Sequence, residues 1–149
     1  MALKLFIIIF YKVEKVKLQK RQNLKQFDEN RILIFETDDE LSISLSRLLC
    51  RENFHVFLAN NVEQAIQLLN AEEINCIIFG LNQPVKKCVE QLKMISCHQQ
   101  KPNILVLSSF DFIEVQNELS EIDINHFMTK PVKQEQLIKQ IIEHKKSTA

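Results

Sequence analysis

From Arg31 onward the chain alternates between two hydrophobic rhythms. Five short runs lack polar interruption: Ile32–Phe35, Val56–Ala59, Cys76–Phe79, Ile104–Leu107 and Phe127–Met128. Ile32–Phe35 and Cys76–Phe79 suit strands buried on both faces, and the other three are further strand candidates. After each, apolar residues recur at helical spacing. The sets are Leu41, Leu45, Leu48 and Leu49; Ala65, Ile66, Leu68 and Leu69; Val89, Leu92 and Ile95; a thinner set of Ile113, Val115 and Leu119; and Leu137, Ile138, Ile141 and Ile142. Asp38 or Asp39 is placed to cap the first helix and Asn60 or Asn61 the second, and Pro84 precedes the third. Five successive βα units predict an α/β domain, a five-stranded parallel sheet with helices on both faces, wound doubly by right-handed crossovers. Chemistry in such a fold sits at the carboxyl ends of the strands. Those ends read Glu36-Thr37-Asp38-Asp39, Gly80-Leu81-Asn82, Ser108-Ser109 and Thr129-Lys130-Pro131.

Composition narrows the chemistry. The 149 residues suit one domain that needs no disulfide or metal staple. The net charge of zero hides a split: residues 1–30 carry +4 and residues 31–149 carry −4. An acidic body argues against a nucleic-acid binder. The four cysteines show no CxxC or Cys/His metal spacing, and Cys50 and Cys76 lie in apolar runs, where a thiol acts as a small hydrophobe. A reduced, cytoplasmic chain is the simplest expectation. The single glycine excludes both Gly-rich nucleotide loops, and no HExxH or GxSxG occurs.

Residues 1–30 form an N-terminal basic and apolar extension. Its apolar run, residues 3–11, is far short of the ~20 residues that span a bilayer and lacks a signal-peptide cleavage pattern. An extra packed element or a plain extension is the preferred reading over a small membrane anchor.

The four strand ends resemble the response-regulator receiver domain of two-component signalling. "ILIFETDDEL" stands where that family has its acidic segment, "CIIFGLNQP" where it has the phosphoacceptor strand, "ILVLSS" at the hydroxyl strand and "HFMTKPV" at the Lys-Pro segment. The resemblance implies a flavodoxin-like receiver fold over residues 31–146, and it implies roles. Gly80 falls at the phosphoacceptor Asp, so no acyl phosphate forms there. Glu36 and Thr37 fall at the acidic pair, with Asp38 one residue beyond; Ser108 matches the hydroxyl, Lys130 the lysine and Phe127 the aromatic switch. One carboxylate and a hydroxyl make a poor Mg²⁺ site, so no metal or cofactor is expected beyond weak Mg²⁺. Lys130, lacking its usual carboxylate, is expected to turn toward Glu36 or Asp38 or to swing outward. In the plainer readings Glu36 is a solvated strand-end carboxylate, Asp38 and Asp39 start a helix, and Ser108 and Ser109 close a strand end.

The functional expectation is a stand-alone, non-enzymatic, phosphorylation-independent interaction domain. Its partners, a homodimer included, would meet the face of the fourth helix, fifth strand and fifth helix, with Phe110, Phe127 and Val132 as interface residues. Nucleic acid is not expected, and membrane contact through residues 1–30 is the less favoured option. The alternative is a genuine phosphorelay receiver with a non-standard acceptor such as Asp38 or Asp39. A flavin-binding or other doubly wound enzyme is remote with a single glycine.

Overall fold

The apolar runs become the strands of one parallel sheet in a computed structural model that describes residues 31–148, with side chains described through residue 143. The strands are β1 (Arg31–Phe35), β2 (His55–Ala59), β3 (Cys76–Leu81), β4 (Asn103–Ser108) and β5 (His126–Thr129). Helices α1 (Asp39–Arg51), α2 (Val62–Ala71), α3 (Val85–Ser96), α4 (Phe112–Val115) and α5 (Gln134–Thr148) alternate with them. The strand order is β2-β1-β3-β4-β5, every neighbour parallel. The chain steps outward from β1 to β2 and then crosses back to β3. That reversal opens a crevice at the carboxyl ends of β1 and β3.

Successive strand residues point to opposite faces, so a sheet covered on both sides needs unbroken apolar runs. Ile32, Ile34, Ile78, Leu105 and Leu107 pack beneath Leu45, Leu48 and Leu49 of α1 and Leu137 and Ile141 of α5. Leu33, Phe35, Ile77, Phe79 and Val106 pack on the other face against Leu69 of α2 and Leu92 and Ile95 of α3.

Local chemistry sets the element ends. Asp38 caps α1, its Oδ1 accepting from Leu41 N–H at 3.2 Å, and Asn61 caps α2, its Oδ1 accepting from Gln64 N–H at 2.9 Å. At the end of α1, Asn53 takes a left-handed conformation with φ 65°. Asn53 N–H donates to Cys50 O at 3.1 Å and Phe54 N–H to Leu49 O at 3.0 Å. This is a Schellman closure, built with asparagine where glycine is usual. It folds the buried Phe54 back into the same core cluster as Leu49.

Three expectations need correction. β3 continues two residues past Phe79, because Gly80 and Leu81 pair with Leu107 and Ser108 of β4. α4 is a single turn. Beyond it Ser120 Oγ donates to Asn117 O at 2.8 Å, the local bonding that competes with a helical ladder, although Leu119 is still buried. Cys50 is exposed and not a core hydrophobe, since it lies one residue, ~100° around the helix, from the buried Leu49. The other cysteine of an apolar run, Cys76, is half-buried, and desolvation pushes its thiol up to about 12. The expected extension at 1–30 lies outside the described residues.

Candidate functional site

Glu36 leaves the end of β1 and turns into the crevice. It is 2% exposed, which corrects the expectation of a solvated carboxylate. The reason lies across the crevice in β3. Gly80 has no side chain, and the Glu36 carboxylate occupies the space above it. A β-carbon on Gly80 would stand 1.8 Å from Glu36 Oε2 and 2.5 Å from its Cδ.

The buried carboxylate is fully engaged. Lys130 Nζ, presented just after β5, donates to Oε2 at 3.0 Å. Asn82 Nδ2 donates to Oε1 at 2.8 Å, and Asp38 N–H donates to the same oxygen at 3.0 Å. Of the orientations expected for Lys130, the structure has the inward one, toward Glu36.

Asn82 joins the network together, a role that no motif in the sequence announces. Its Oδ1 accepts from Lys130 Nζ at 2.8 Å and from Ser109 Oγ at 3.0 Å, while its Nδ2 reaches Thr37 Oγ1 at 3.4 Å as well as Glu36. An amide can serve a cation through its oxygen and an anion through its nitrogen, so Asn82 bridges Lys130 and Glu36. A polar residue two positions past Gly80, at the same sheet edge as Lys130, was the available signal.

The remaining strand-end residues divide. Thr37 and Ser109 join the network. Ser108 is buried, and its Oγ accepts from Phe110 N–H at 2.9 Å, the strand-end role expected for it. Its carbonyl accepts from Lys130 N–H at 2.7 Å, which fixes where the lysine leaves the sheet. Asp38 is the helix cap described above. Phe127 packs on the α2–α3 side of the core and meets Phe112 edge to face, ring centroids 5.2 Å apart. Phe110 lies on that same side, whereas Val132 packs against the α1–α5 side. The three expected interface residues are therefore divided between the two faces of the sheet. The apolar surface near them comes from α4, where Phe112 is 49% and Ile113 80% exposed.

The arrangement is a polar network in which one buried anion and one cation neutralise each other and each named bond supports the next. Among the described residues no three His, Cys, Asp or Glu side chains stand close enough to hold a metal ion. Among them, too, no helix is long and apolar enough to cross a membrane.

A doubly wound parallel sheet with its polar residues gathered at the β1–β3 crevice, Lys130 among them, defines a receiver-type α/β domain. The chain belongs to the response regulator receiver domain family of two-component signalling, matching it over residues 32–142. It is 30% identical over 112 residues to the two-component response regulator-like PRR1 of Oryza sativa subsp. japonica, covering 72% of this chain and 22% of that protein. It is 29% identical over 111 residues to the cell cycle response regulator CtrA of Brucella ovis, covering 74% and 48%. The chain thus spans less than half the length of these curated relatives. The fold is that of solved receivers. Chemotaxis protein CheY4 of Vibrio cholerae superposes with a TM-score of 0.69 at 21% identity, covering 76% of this chain and 96% of that one. A Burkholderia pseudomallei response regulator with a phosphorylated aspartic acid gives 0.66 at 20% identity, covering 80% and 73%.

Proposed function

We propose that this receiver domain carries Gly80 in place of a phosphoacceptor and acts as a phosphorylation-independent, non-enzymatic interaction module in two-component signalling. The observation that carries the reading is the Glu36 carboxylate lying 1.8 Å from where a β-carbon of residue 80 would stand. The volume in which an acceptor side chain would begin is already filled, and the lysine that would neutralise a phosphoryl group is bonded to Glu36 and Asn82. Phosphoryl transfer depends on positioned, charge-stabilising groups around an accessible oxygen. Glu36 is buried with both oxygens engaged, and Asp38 is occupied as a helix cap. Mg²⁺ binds weakly at most, since Glu36 already has its cation. The module then acts by contact in the cytoplasm, with a protein partner or a second copy meeting Asp111–Glu143, where Phe112 and Ile113 are exposed.

The test is intact-mass analysis after treatment with acetyl phosphate and Mg²⁺. The wild type is expected to gain no phosphoryl group. A Glu36→Asp/Gly80→Asp double variant, in which the shorter residue 36 makes room for a carboxylate at 80, is expected to gain one. An acid-labile phosphoryl group on the wild type sinks the proposal.

A further inference from the structure

Between α1 and α5 runs a groove of about 550 Å³ that the crevice network does not use. Its floor is apolar, formed by Leu48, Ile138 and Ile142, the last 40% exposed. Its rim carries Glu52, Glu135 and Glu143. Among the described residues that line the groove Lys139 is the one cation, 3.8 Å from Glu143, against three glutamates. An apolar floor inside an acidic rim fits a partner that is apolar and basic together.

Residues 1–30 have that composition. The run LKLFIIIFY at 3–11 is followed by Lys12, Lys15, Lys17, Lys20, Arg21 and Lys25. The receiver family match begins only at residue 32, so this segment is additional to the domain unit. We propose that the segment docks in cis in the α1–α5 groove, its apolar run on Leu48, Ile138 and Ile142 and its lysines against the glutamate rim.

The tether allows it. Arg31 pairs with His55 in the sheet, and His55 is three residues past Glu52 on the groove rim. Three residues span at most ~11 Å and adjacent strands lie ~5 Å apart, so the attachment point is within roughly 16 Å of the rim. The nineteen residues from Lys12 to Asn30 reach ~30 Å even at helical rise, ample to return the apolar run to the groove. A tethered segment also works at an effective concentration near millimolar, an advantage over any free competitor.

The test uses the full chain and does not depend on the reading of position 80. Isotope-labelled and unlabelled protein are mixed, treated with a zero-length carbodiimide that joins amines to carboxylates, and digested for mass spectrometry. The expected products join Lys12–Lys25 to Glu52, Glu135 or Glu143 within one isotopic form. A Glu52→Gln/Glu135→Gln/Glu143→Gln variant, which changes only exposed side chains, is expected to raise the rate of tryptic cleavage in residues 12–25 several-fold. Mixed-isotope products would assign the groove to a second copy and overturn docking in cis. So would a cleavage rate unchanged by the triple variant, cross-links only to other carboxylates, or protection from trypsin that appears only with anionic vesicles.

Discussion

Replacing Lys130 by methionine strands a negative charge inside the domain. The Glu36 side chain is 1% exposed and that of Lys130 17%, so the pair is buried on the anion's side and reaches the surface on the cation's. Removing one partner of a buried pair costs ~3–5 kcal/mol, because the survivor keeps its desolvation penalty without its counter-charge. Two features place this case at the low end. Glu36 Oε1 retains its bonds from Asn82 and Asp38 N–H, and the partly open lysine position admits water. The expected loss for Lys130→Met is therefore about 3 kcal/mol by urea unfolding, or roughly 6–12 °C in Tm for a chain this long. Added salt leaves the loss nearly unchanged, since a buried pair is little screened. In the double variant Glu36→Gln/Lys130→Met the stranded charge is gone and most of the loss is recovered, giving a coupling of about 2 kcal/mol. A loss below ~1 kcal/mol for Lys130→Met, or a double variant no more stable than the single, refutes the claim that Lys130 neutralises a buried Glu36.

Two further outcomes follow from the packing around Gly80 and Cys76. Gly80→Ala places a methyl group into the Glu36 carboxylate and is expected to cost about 1–3 kcal/mol in urea unfolding; adding Glu36→Asp, one methylene shorter, is expected to restore most of it, and a neutral Gly80→Ala would show that Glu36 moves aside freely. Cys76 holds its proton to about 12 when folded, against an ordinary value of 9.0, so the unfolded chain loses that proton first and stability falls as pH rises from 9 toward 12. Between about pH 8 and pH 10 the wild type is expected to lose roughly 1 kcal/mol more than Cys76→Ala, and equal losses would contradict a desolvated thiol.

The parts of the fold legible in the sequence are those written in continuous pattern. Ile32–Phe35 and Ile104–Leu107 announce doubly covered strands because each of their residues faces a helix layer. The leucine stripe of α1 and the cap at Asp38 are equally local signals. What the sequence conceals is carried by partners distant along the chain. Glu36 read as solvated because nothing near it announces burial; its partners Asn82 and Lys130 stand 46 and 94 positions away. Asn82 drew no role because a lone asparagine after a strand is an ordinary turn residue, and its bridging position exists only once β1, β3 and β5 bring their ends together. β3 ran past its expected end because glycine carries no hydrophobic signal, although β4 continues the pairing beside it. The shortness of α4 was hidden for the opposite reason: Leu119 is buried without belonging to a helix.

The contact between Glu36 and the empty space over Gly80 constrains the order in which this pocket is able to change. Any substitution at 80 meets the carboxylate of residue 36 before it meets anything else. Shortening residue 36 first draws its oxygens back from Lys130 and Asn82 while position 80 still offers nothing in their place. Each single step toward a carboxylate at 80 thus descends in stability. Mutational paths that cross such a valley are rarely taken one substitution at a time in a protein held only a few kcal/mol above unfolding. The pair Glu36–Gly80 therefore acts as a ratchet, making the present pocket easier to keep than to leave.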